Sequence, residues 1–298
     1  MVGAADGRSR VTSTAGGSWR DADDRPTVVP PVPGPDVAPF YRPIGEFQGG
    51  DYRRNAFAAG TDEEVDVLER LAGGSIGAPT GSSLGQRSGL PAGSSILDVG
   101  CGDVRHLRVL LTRRPDLRGV GIDISPALVA AGRQMAAPEL ELELVVGDAR
   151  NLSEVLGDRT GTFDVVWSLC QGALGTSPVT DPVVLRGLAE AVRPGGVVLV
   201  TFFHALFAAR HLTPGDAFDP VGLVHHQRAE VRGPDHARRS FDLWTASYTV
   251  REAVWLVQEA GLEVSSIRGV EPGSYAHRAD GEVGLDDPEL LLVAHRPA

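Results

Sequence analysis

The stretch Ser95-Ile96-Leu97-Asp98-Val99-Gly100-Cys101-Gly102 decides the fold of this chain. Its apolar residues are typical of a parallel strand that is buried on both faces, and the two alternate glycines predict a tight turn. Asp103 is then expected to cap a helix over residues 104–113. The sequence therefore predicts a strand, a turn and a helix, with backbone N–H groups of the turn close to a ligand.

Two further apolar runs also end in an acidic residue. Asp123 closes the run that begins at Gly119, and Asp148 closes the run that begins at Leu144. Open α/β sheets bind ligands outside the carboxyl ends of their strands, so we expect Asp98, Asp123 and Asp148 to lie at one edge of a sheet. Three acids at such an edge predict a nucleoside site.

These residues resemble the class I S-adenosylmethionine-dependent methyltransferases, over roughly residues 90–203 and more weakly towards the C-terminus. The resemblance implies S-adenosylmethionine as cofactor. The segment matching Asp98 to Gly102 would lie under its methionine part, the acid matching Asp123 would take the ribose hydroxyls, and the acid matching Asp148 would approach the adenine amino group. The cofactor-binding residues predicted on this basis are Asp98, Gly100, Cys101, Gly102, Asp123, Ile124, Gly147, Asp148, Ala149, Leu169 and Cys170.

Two positions depart from related patterns. Val104 stands where the family often has a third small residue, which predicts a helix slightly farther from the cofactor. Arg105 stands where the dinucleotide fingerprint needs its third glycine, so a nicotinamide-dependent oxidoreductase is the weaker alternative.

Composition narrows the class of protein. The 298 residues are 42% apolar, which predicts a soluble globular chain, and the net charge of -11 argues against nucleic acid or an anionic membrane as partner. All 28 basic residues are arginine, which excludes lysine Schiff-base chemistry. Cys101 and Cys170 lack the spacing of disulfide or zinc sites, and neither a secretory signal nor a membrane span is evident, so we expect a cytoplasmic protein.

Strand and helix patterns alternate from residue 95 to residue 203, which predicts an α/β fold. By the resemblance, it is a doubly wound, mostly parallel, seven-stranded sheet. Residues 1–38 are expected to be a disordered tail, 39–93 an N-terminal helical lid and loop, and 94–298 the S-adenosylmethionine-binding domain. Within that domain, residues 204–248 are an insertion after the fifth strand, with a hairpin of strands over 224–232 and 239–248 facing the substrate.

The predicted reaction is transfer of a methyl group to a small-molecule acceptor by in-line displacement, with the cofactor carrying the difficult chemistry. His204 after the fifth strand and His225 in the hairpin are the candidate catalytic bases, although hydrogen bonding within the lid or exposure at the surface explains them as well. His225 and His226 lack an H-E-x-x-H pattern or a cysteine partner, so no metal site is predicted.

A group of aromatic residues could line the acceptor pocket, although ordinary packing explains them equally well. The group comprises Tyr41, Phe47, Tyr52, Phe57, Trp244 and Tyr248. The chain lacks the Asn/Asp-Pro-Pro-aromatic motif of amino-methylating nucleic-acid enzymes, which favours a small acceptor. A protein methyltransferase and a non-catalytic cofactor-binding module remain alternatives, and the sequence predicts no oligomeric state.

Overall fold

The computed structural model describes residues 41–54, 59–76 and 89–298. The predicted tail (1–38), Phe57 and most of the predicted loop before the first strand lie outside this part of the chain. The described residues form eight α-helices and ten β-strands. The helices are α1 (Tyr41–Gln48), α2 (Thr61–Ser75), α3 (Arg105–Arg113), α4 (Pro126–Met135), α5 (Leu152–Leu156), α6 (Asp181–Ala191), α7 (Ala205–Arg210) and α8 (Val250–Glu259). The strands are β1 (Ser95–Val99), β2 (Arg118–Asp123), β3 (Leu142–Val146), β4 (Phe163–Ser168), β5 (Val192–His204), β6 (Ala217–Asp219), β7 (Val224–Arg232), β8 (Arg238–Tyr248), β9 (Glu263–Val270) and β10 (Glu289–His295).

The centre of the fold is a mostly parallel sheet, as predicted. β1 pairs in parallel with β2 and β4, β2 with β3, and β4 with β5, while β10 runs antiparallel between β5 and β9. One apolar cluster packs α5, α6 and α8 on one face, and a second packs α2, α3 and α4 on the other. Because both faces are covered, the central strands are nearly continuous apolar runs.

The predicted number of seven strands was wrong, because the described part of the chain forms a ten-stranded sheet. The end of β8 pairs with the end of β5, through Phe203 with Ser247 and His204 with Tyr248, and β7 and β6 follow in antiparallel order. The hairpin strands themselves were predicted to within one residue. Their pairing with the main sheet was not predicted, because it involves only two residue pairs and such a short contact produces no periodic pattern in the sequence.

The first turn of α3 differs from the prediction. The helix begins at Arg105, its N-cap residue is Val104 with φ +62°, and no side chain caps it, so the predicted cap by Asp103 was wrong. A β-branched residue in this left-handed conformation is strained. Val104 is fully buried, and a Cβ atom at Gly132 of α4 would lie 3.1 Å from its Cγ1 atom. The glycine on α4 thus leaves room for the valine.

The spacing of apolar residues predicts a helix over residues 63–71 with Thr61 as its cap, followed by a loop from Gly73, but helix α2 is longer at both ends. Gly60 occupies the N-cap position, whereas Thr61, the predicted cap, is the first residue of the helix. The helix continues through Gly73 and Gly74, which the composition had assigned to a loop. Leu68 and Leu71 are buried in the apolar cluster beneath α2, so tertiary packing outweighs the low helix propensity of glycine here. Across the described residues, each helix is too short or too polar to span a bilayer.

Candidate functional site

A cavity of about 730 Å³ lies at the carboxyl edge of the parallel strands. The turns after β1, β2 and β4 form its floor, the N-terminal segment of residues 41–54 covers one side, and the hairpin of β7 and β8 covers another. Its polar and glycine lining includes Gln48, Asp51, Gly100, Gly102, Asp123, Gln171, Gly172, Glu230, Arg232, Gly233, His236 and Glu289, and its apolar, aromatic and thiol lining includes Tyr41, Ile44, Tyr52, Ile124, Leu128, Cys170, Phe203 and Leu243.

The floor of the cavity is built by direct contact between two backbone turns. A Cβ atom at Gly100 would lie 2.1 Å from the carbonyl carbon of Gly172, in the loop after β4. In that loop Cys170 and Gln171 have φ values of +50° and +60°, which are sparsely populated for residues other than glycine. Such strain concentrates at functional sites, where the surrounding structure holds it in place.

Asp123 lies at the end of β2 and lines the cavity. Its Oδ2 atom accepts a hydrogen bond from the Gly102 N–H and its Oδ1 atom accepts one from the Ser125 N–H, both at 2.8 Å. These bonds fix the carboxyl group and leave it further acceptor positions. Burial raises its pKa above the usual range. The geometry suits a ligand that presents hydroxyl donors.

Asp98 is 2% exposed and lies in β1, directly before the glycine turn. It does not belong to the described cavity lining. Its Oδ2 atom has no hydrogen-bond partner in the described structure, and burial raises its pKa to about 7 although a hydrogen bond with the Trp167 side chain opposes the rise. A buried acceptor without a partner is expensive unless a ligand supplies a donor. The orphaned oxygen therefore fits a cofactor that carries an ammonium group, as the methionine part of S-adenosylmethionine does.

The other predicted cofactor residues lie in three places: in the cavity lining, in the core beneath it, and outside the lining. Ile124 and Cys170 line the cavity. Cys101 and Leu169 are buried in the core beneath it. Within the described lining, Gly147, Asp148 and Ala149 do not appear, and the Asp148 carboxylate accepts hydrogen bonds from the backbone and guanidinium of Arg150. The contact of Asp148 with adenine stays a prediction.

The two candidate catalytic histidines have partners away from the cavity. His204 is 2% exposed, and its Nδ1 atom donates to the carbonyl oxygen of Asp287 at 3.0 Å. His225 lies with its Nε2 atom 3.2 Å from the Asp216 carboxylate. Neither belongs to the described cavity lining. The catalytic role assigned to them stays a prediction. The geometry favours a structural hydrogen bond for His204 and a contact with a carboxylate for His225.

The N-terminal segment and the hairpin close one side of the cavity by contacting each other. The rings of Phe47 and Phe241 pack with centroids 5.7 Å apart, and the Gln48 side chain donates to the carbonyl oxygen of Arg232 at 3.3 Å. Phe47 also lies close to Gly233, where a Cβ atom would be 2.8 Å from the Phe47 ring. This contact turns an open sheet edge into a walled pocket.

A buried ionic network supports the floor from below. Arg105 donates to the Glu64 carboxylate, to the Thr61 hydroxyl at 2.7 Å and to the Cys170 sulfur at 3.2 Å, and His106 Nε2 lies 2.9 Å from Glu64. Possible metal-ligand atoms of Glu64, His106 and Cys170 all lie within 4.8 Å of one another. The guanidinium of Arg105 already supplies the positive charge between Glu64 and Cys170.

Two features of the site were missed from the sequence. The Glu64–Arg105 pair joins residues on separate helices, and no local pattern marks such a pair. Glu289 had a usable signal, because it is an acid placed directly before the apolar run of β10. An antiparallel strand begins at the edge where its parallel neighbours end, which places Glu289 beside the cavity.

Sequence comparison then identifies the family. The model of a family described as a methyltransferase domain matches residues 96–196. A trans-aconitate 2-methyltransferase of Deinococcus radiodurans is 34% identical over 200 residues, covering 63% of this chain and 73% of that protein. This chain is a class I S-adenosylmethionine-dependent methyltransferase. The cofactor of this methyltransferase is therefore S-adenosylmethionine.

Other relatives of the methyltransferase act on different molecules. A dTDP-4-amino-2,3,4,6-tetradeoxy-D-glucose N,N-dimethyltransferase of Saccharopolyspora spinosa is 28% identical and covers 78% of this chain and 80% of its own length. With a 2-methyl-6-phytyl-1,4-hydroquinone methyltransferase of Synechocystis the identity is 34%, but the match spans 37% of this chain and 32% of that protein. The structure of the CcbJ methyltransferase of Streptomyces caelestis shares the fold with a TM-score of 0.62 at 15% identity, covering 85% and 98% of the two chains.

Proposed function

We propose that this methyltransferase transfers the methyl group of S-adenosylmethionine to a small molecule held between the N-terminal segment and the hairpin. The observation that carries the proposal is the walled cavity of about 730 Å³, which lies within the range of about 300 to 1,000 Å³ typical of small-molecule sites. A protein acceptor would need an open groove, whereas the contact between Phe47 and Phe241 closes the cavity on that side.

Each part of the cofactor has a proposed partner, one in the cavity lining (Asp123) and two outside the described lining (Asp98 and Asp148). Asp98 would receive the ammonium of the methionine part, Asp123 the ribose hydroxyls, and Asp148 the adenine amino group. Support is strongest for Asp98, with its orphaned buried oxygen, and for Asp123, whose carboxyl group is fixed by two backbone N–H groups. The cofactor supplies an activated methyl group when bound, and the protein holds the acceptor in line with it.

The names of the relatives support a small acceptor but leave its identity open. They include enzymes named for an amino sugar nucleotide, for trans-aconitate and for a macrolide, erythromycin. These acceptors differ in size and charge, whereas the family model matches residues 96–196, which include the turns at the cofactor end of the cavity. We therefore assign acceptor choice to the N-terminal segment and the hairpin of this chain.

The direct test is calorimetric titration with S-adenosylmethionine and S-adenosylhomocysteine, with NADH as the control ligand, followed by incubation with an acceptor library. Saturable binding of the first two ligands, and production of S-adenosylhomocysteine with a methylated small molecule, are the expected results. Methyl incorporation into protein with none into small molecules would overturn the assignment of acceptor class. Failure of both cofactor forms to bind would overturn the assignment of the cavity.

A matched pair of variants locates the cofactor within the cavity. Asp123→Asn removes the charge while retaining an acceptor oxygen for a neighbouring N–H, and it should weaken S-adenosylhomocysteine binding by about 1 to 3 kcal/mol. Asp158→Asn alters an exposed residue outside the cavity lining and should leave the affinity unchanged.

A further inference from the structure

Glu289 is a buried carboxylate that opens into the cavity. It is the first residue of β10, it is 2% exposed, and it pairs in register with Phe203, another lining residue. Its Oε2 atom has no hydrogen-bond partner in the described structure. The Thr201 hydroxyl donates a hydrogen bond to this carboxylate, but the unpartnered Oε2 atom has lost its hydration without receiving a second donor. Burial of such an atom is costly unless the group is neutral or a ligand supplies the donor.

The groups around Glu289 come from five separate parts of the fold. They are Tyr41 of α1, Glu64 of α2, Arg105 of α3, Cys170 after β4 and Tyr275 after β9. The pKa of Glu289 is raised to about 7, chiefly by burial and also by the charge of Glu64, while a hydrogen bond from Thr201 and the charge of Arg105 act in the opposite direction. Arg105 is already bonded to Glu64 and Cys170, so the described neighbours offer Glu289 no cation of its own.

The charge of the cavity wall indicates which ligand would supply that cation. The described lining contains four carboxylates, those of Asp51, Asp123, Glu230 and Glu289, against one guanidinium, that of Arg232. Asp123 lies at the proposed cofactor end and Glu230 is paired with Arg238, which leaves Asp51 and Glu289 against Arg232, so the remaining wall keeps a net negative charge. An acidic wall attracts a cationic acceptor and repels an anionic one.

We propose that the acceptor is an amine, bound as its ammonium ion by Glu289, and that Glu289 receives the proton which the nitrogen must lose before methylation. This inference rests on the proposed function.

In the proposed step, the ammonium first donates a hydrogen bond to the Glu289 carboxylate and then transfers one proton to it. The freed lone pair on nitrogen attacks the methyl carbon, and the carbon–sulfur bond breaks with its electron pair left on sulfur. The products are a methylated ammonium, S-adenosylhomocysteine and a neutral Glu289 carboxyl group, which then returns its proton to water. A base with a pKa near neutrality suits this exchange.

The test does not require the natural acceptor. S-adenosylmethionine analogues with nitrogen in place of sulfur, and a short alkyl arm in place of the methyl group, project into the acceptor half of the cavity. Three arm types of graded length would be titrated by calorimetry, ending in an ammonium, a hydroxyl or a methyl group. The ammonium arm should bind about tenfold to a hundredfold more tightly than the hydroxyl arm, as expected for a buried charged hydrogen bond.

Variants assign that preference to one residue. Glu289→Gln keeps the shape of the side chain and should abolish the preference for the ammonium arm, whereas Glu259→Gln, on the exposed end of α8, should retain it. In the wild-type protein the preference should fall as the pH is lowered through about 7, because protonation removes the charge of Glu289. This pH series decides the question even if the Glu289 variant does not fold.

The outcomes separate the two proposals. Equal affinity for the ammonium and hydroxyl arms, or an ammonium preference that survives Glu289→Gln, would overturn the role of Glu289 while S-adenosylhomocysteine binding still supported the proposed function. Failure of S-adenosylhomocysteine itself to bind would overturn the proposed function, and with it this inference.

Discussion

Asp98 and Asp123 are both buried acids at strand ends, but their surroundings give them different properties. Two backbone N–H groups bind Asp123, whereas Asp98 keeps an orphaned oxygen and has its pKa raised to about 7 by burial. A ligand ammonium beside Asp98 would stabilise the charged carboxylate. Asp98 is therefore the residue that should couple cofactor binding to pH.

We predict that affinity for S-adenosylhomocysteine falls as the pH is lowered from about 8 to about 6. The free protein takes up a proton at Asp98 over this range, and binding of the ligand ammonium then requires that proton to leave. Calorimetry at several pH values, in buffers of different ionisation enthalpy, measures both the affinity and the protons released.

Asp98→Asn tests the assignment. The variant should bind more weakly at high pH and should lose this pH dependence, while Asp158→Asn should behave as the wild type does. A pH dependence that persists unchanged in Asp98→Asn would assign the proton to a different group.

The residues that sequence could predict are those marked by a local pattern. Asp98, Gly100 and Asp123 each stand at the end of an apolar run, so strand geometry alone places them at the ligand edge. Glu289 and Arg105 acquire their roles from neighbours that are distant in sequence. The catalytic role of His204 and His225 stays a prediction, because it was inferred from residue type and position near the edge, whereas their observed partners come from distant parts of the sequence.

At the scale of elements, the Glu64 network joins α2 to α3. Burial alone would raise the pKa of Glu64, but the hydrogen bond and charge of His106, together with Arg105, outweigh burial and lower it to about 2. Since the folded pKa lies below the ordinary value of 4.5, this carboxylate contributes its full stability above about pH 4.5. That contribution is lost as the pH falls towards 2.

Glu64→Gln should destabilise the protein by about 3 to 5 kcal/mol at neutral pH, because Arg105 would remain buried without its counter-charge. Urea unfolding followed by circular dichroism measures the loss. The neighbouring Glu63 is exposed, and Glu63→Gln should change the unfolding free energy by less than about 1 kcal/mol. Equal effects of the two substitutions would mean that the network contributes no specific stability.

The contact between the N-terminal segment and the hairpin can be altered without touching the sheet. Gly233→Ala would place a methyl group 2.8 Å from the Phe47 ring and 3.0 Å from the Phe47 carbonyl oxygen, so α1 and the hairpin must separate. We expect acceptor KM to rise at least about fivefold, with S-adenosylhomocysteine affinity nearly unchanged. Steady-state kinetics on an acceptor from the library screen, with calorimetry, separates these effects.

Gly50→Ala is the matched control, because a Cβ atom there meets nothing within 4 Å. Its kinetics should match those of the wild type. If Gly233→Ala also left acceptor KM unchanged, the contact would be unnecessary for acceptor binding.

Element positions were predictable where each element has its own pattern: the apolar runs over residues 95–99, 163–168 and 289–295 predict strands, and they coincide with β1, β4 and β10. The start of α3 was not, because Val104 adopts a left-handed conformation that its β-branched side chain disfavours. The pairing of β5 with β8 could not be predicted either, because it depends on two residue pairs that only the tertiary fold brings together.

At the scale of the whole molecule, cofactor binding should order parts that are far apart in the chain. We predict that S-adenosylhomocysteine slows hydrogen exchange in residues 98–105, in the N-terminal segment (41–54) and in the hairpin (224–248), because all three border one cavity. Exchange in α8, on the far side of the sheet, should be unchanged. Protection confined to residues 98–105 would contradict a cavity shared by the three parts.

Strand β10 determines when the central sheet can be completed during synthesis of the enzyme. It pairs with β5 on one side and β9 on the other, yet it leaves the ribosome after both of them. Until β10 is available, β5 and β9 each have an unpaired strand edge, and such edges are sites for aggregation and for chaperone binding. Glu289 belongs to this same strand, so an intermediate without β10 also lacks part of the proposed acceptor pocket. Pairing of β10 therefore completes the sheet and the pocket together.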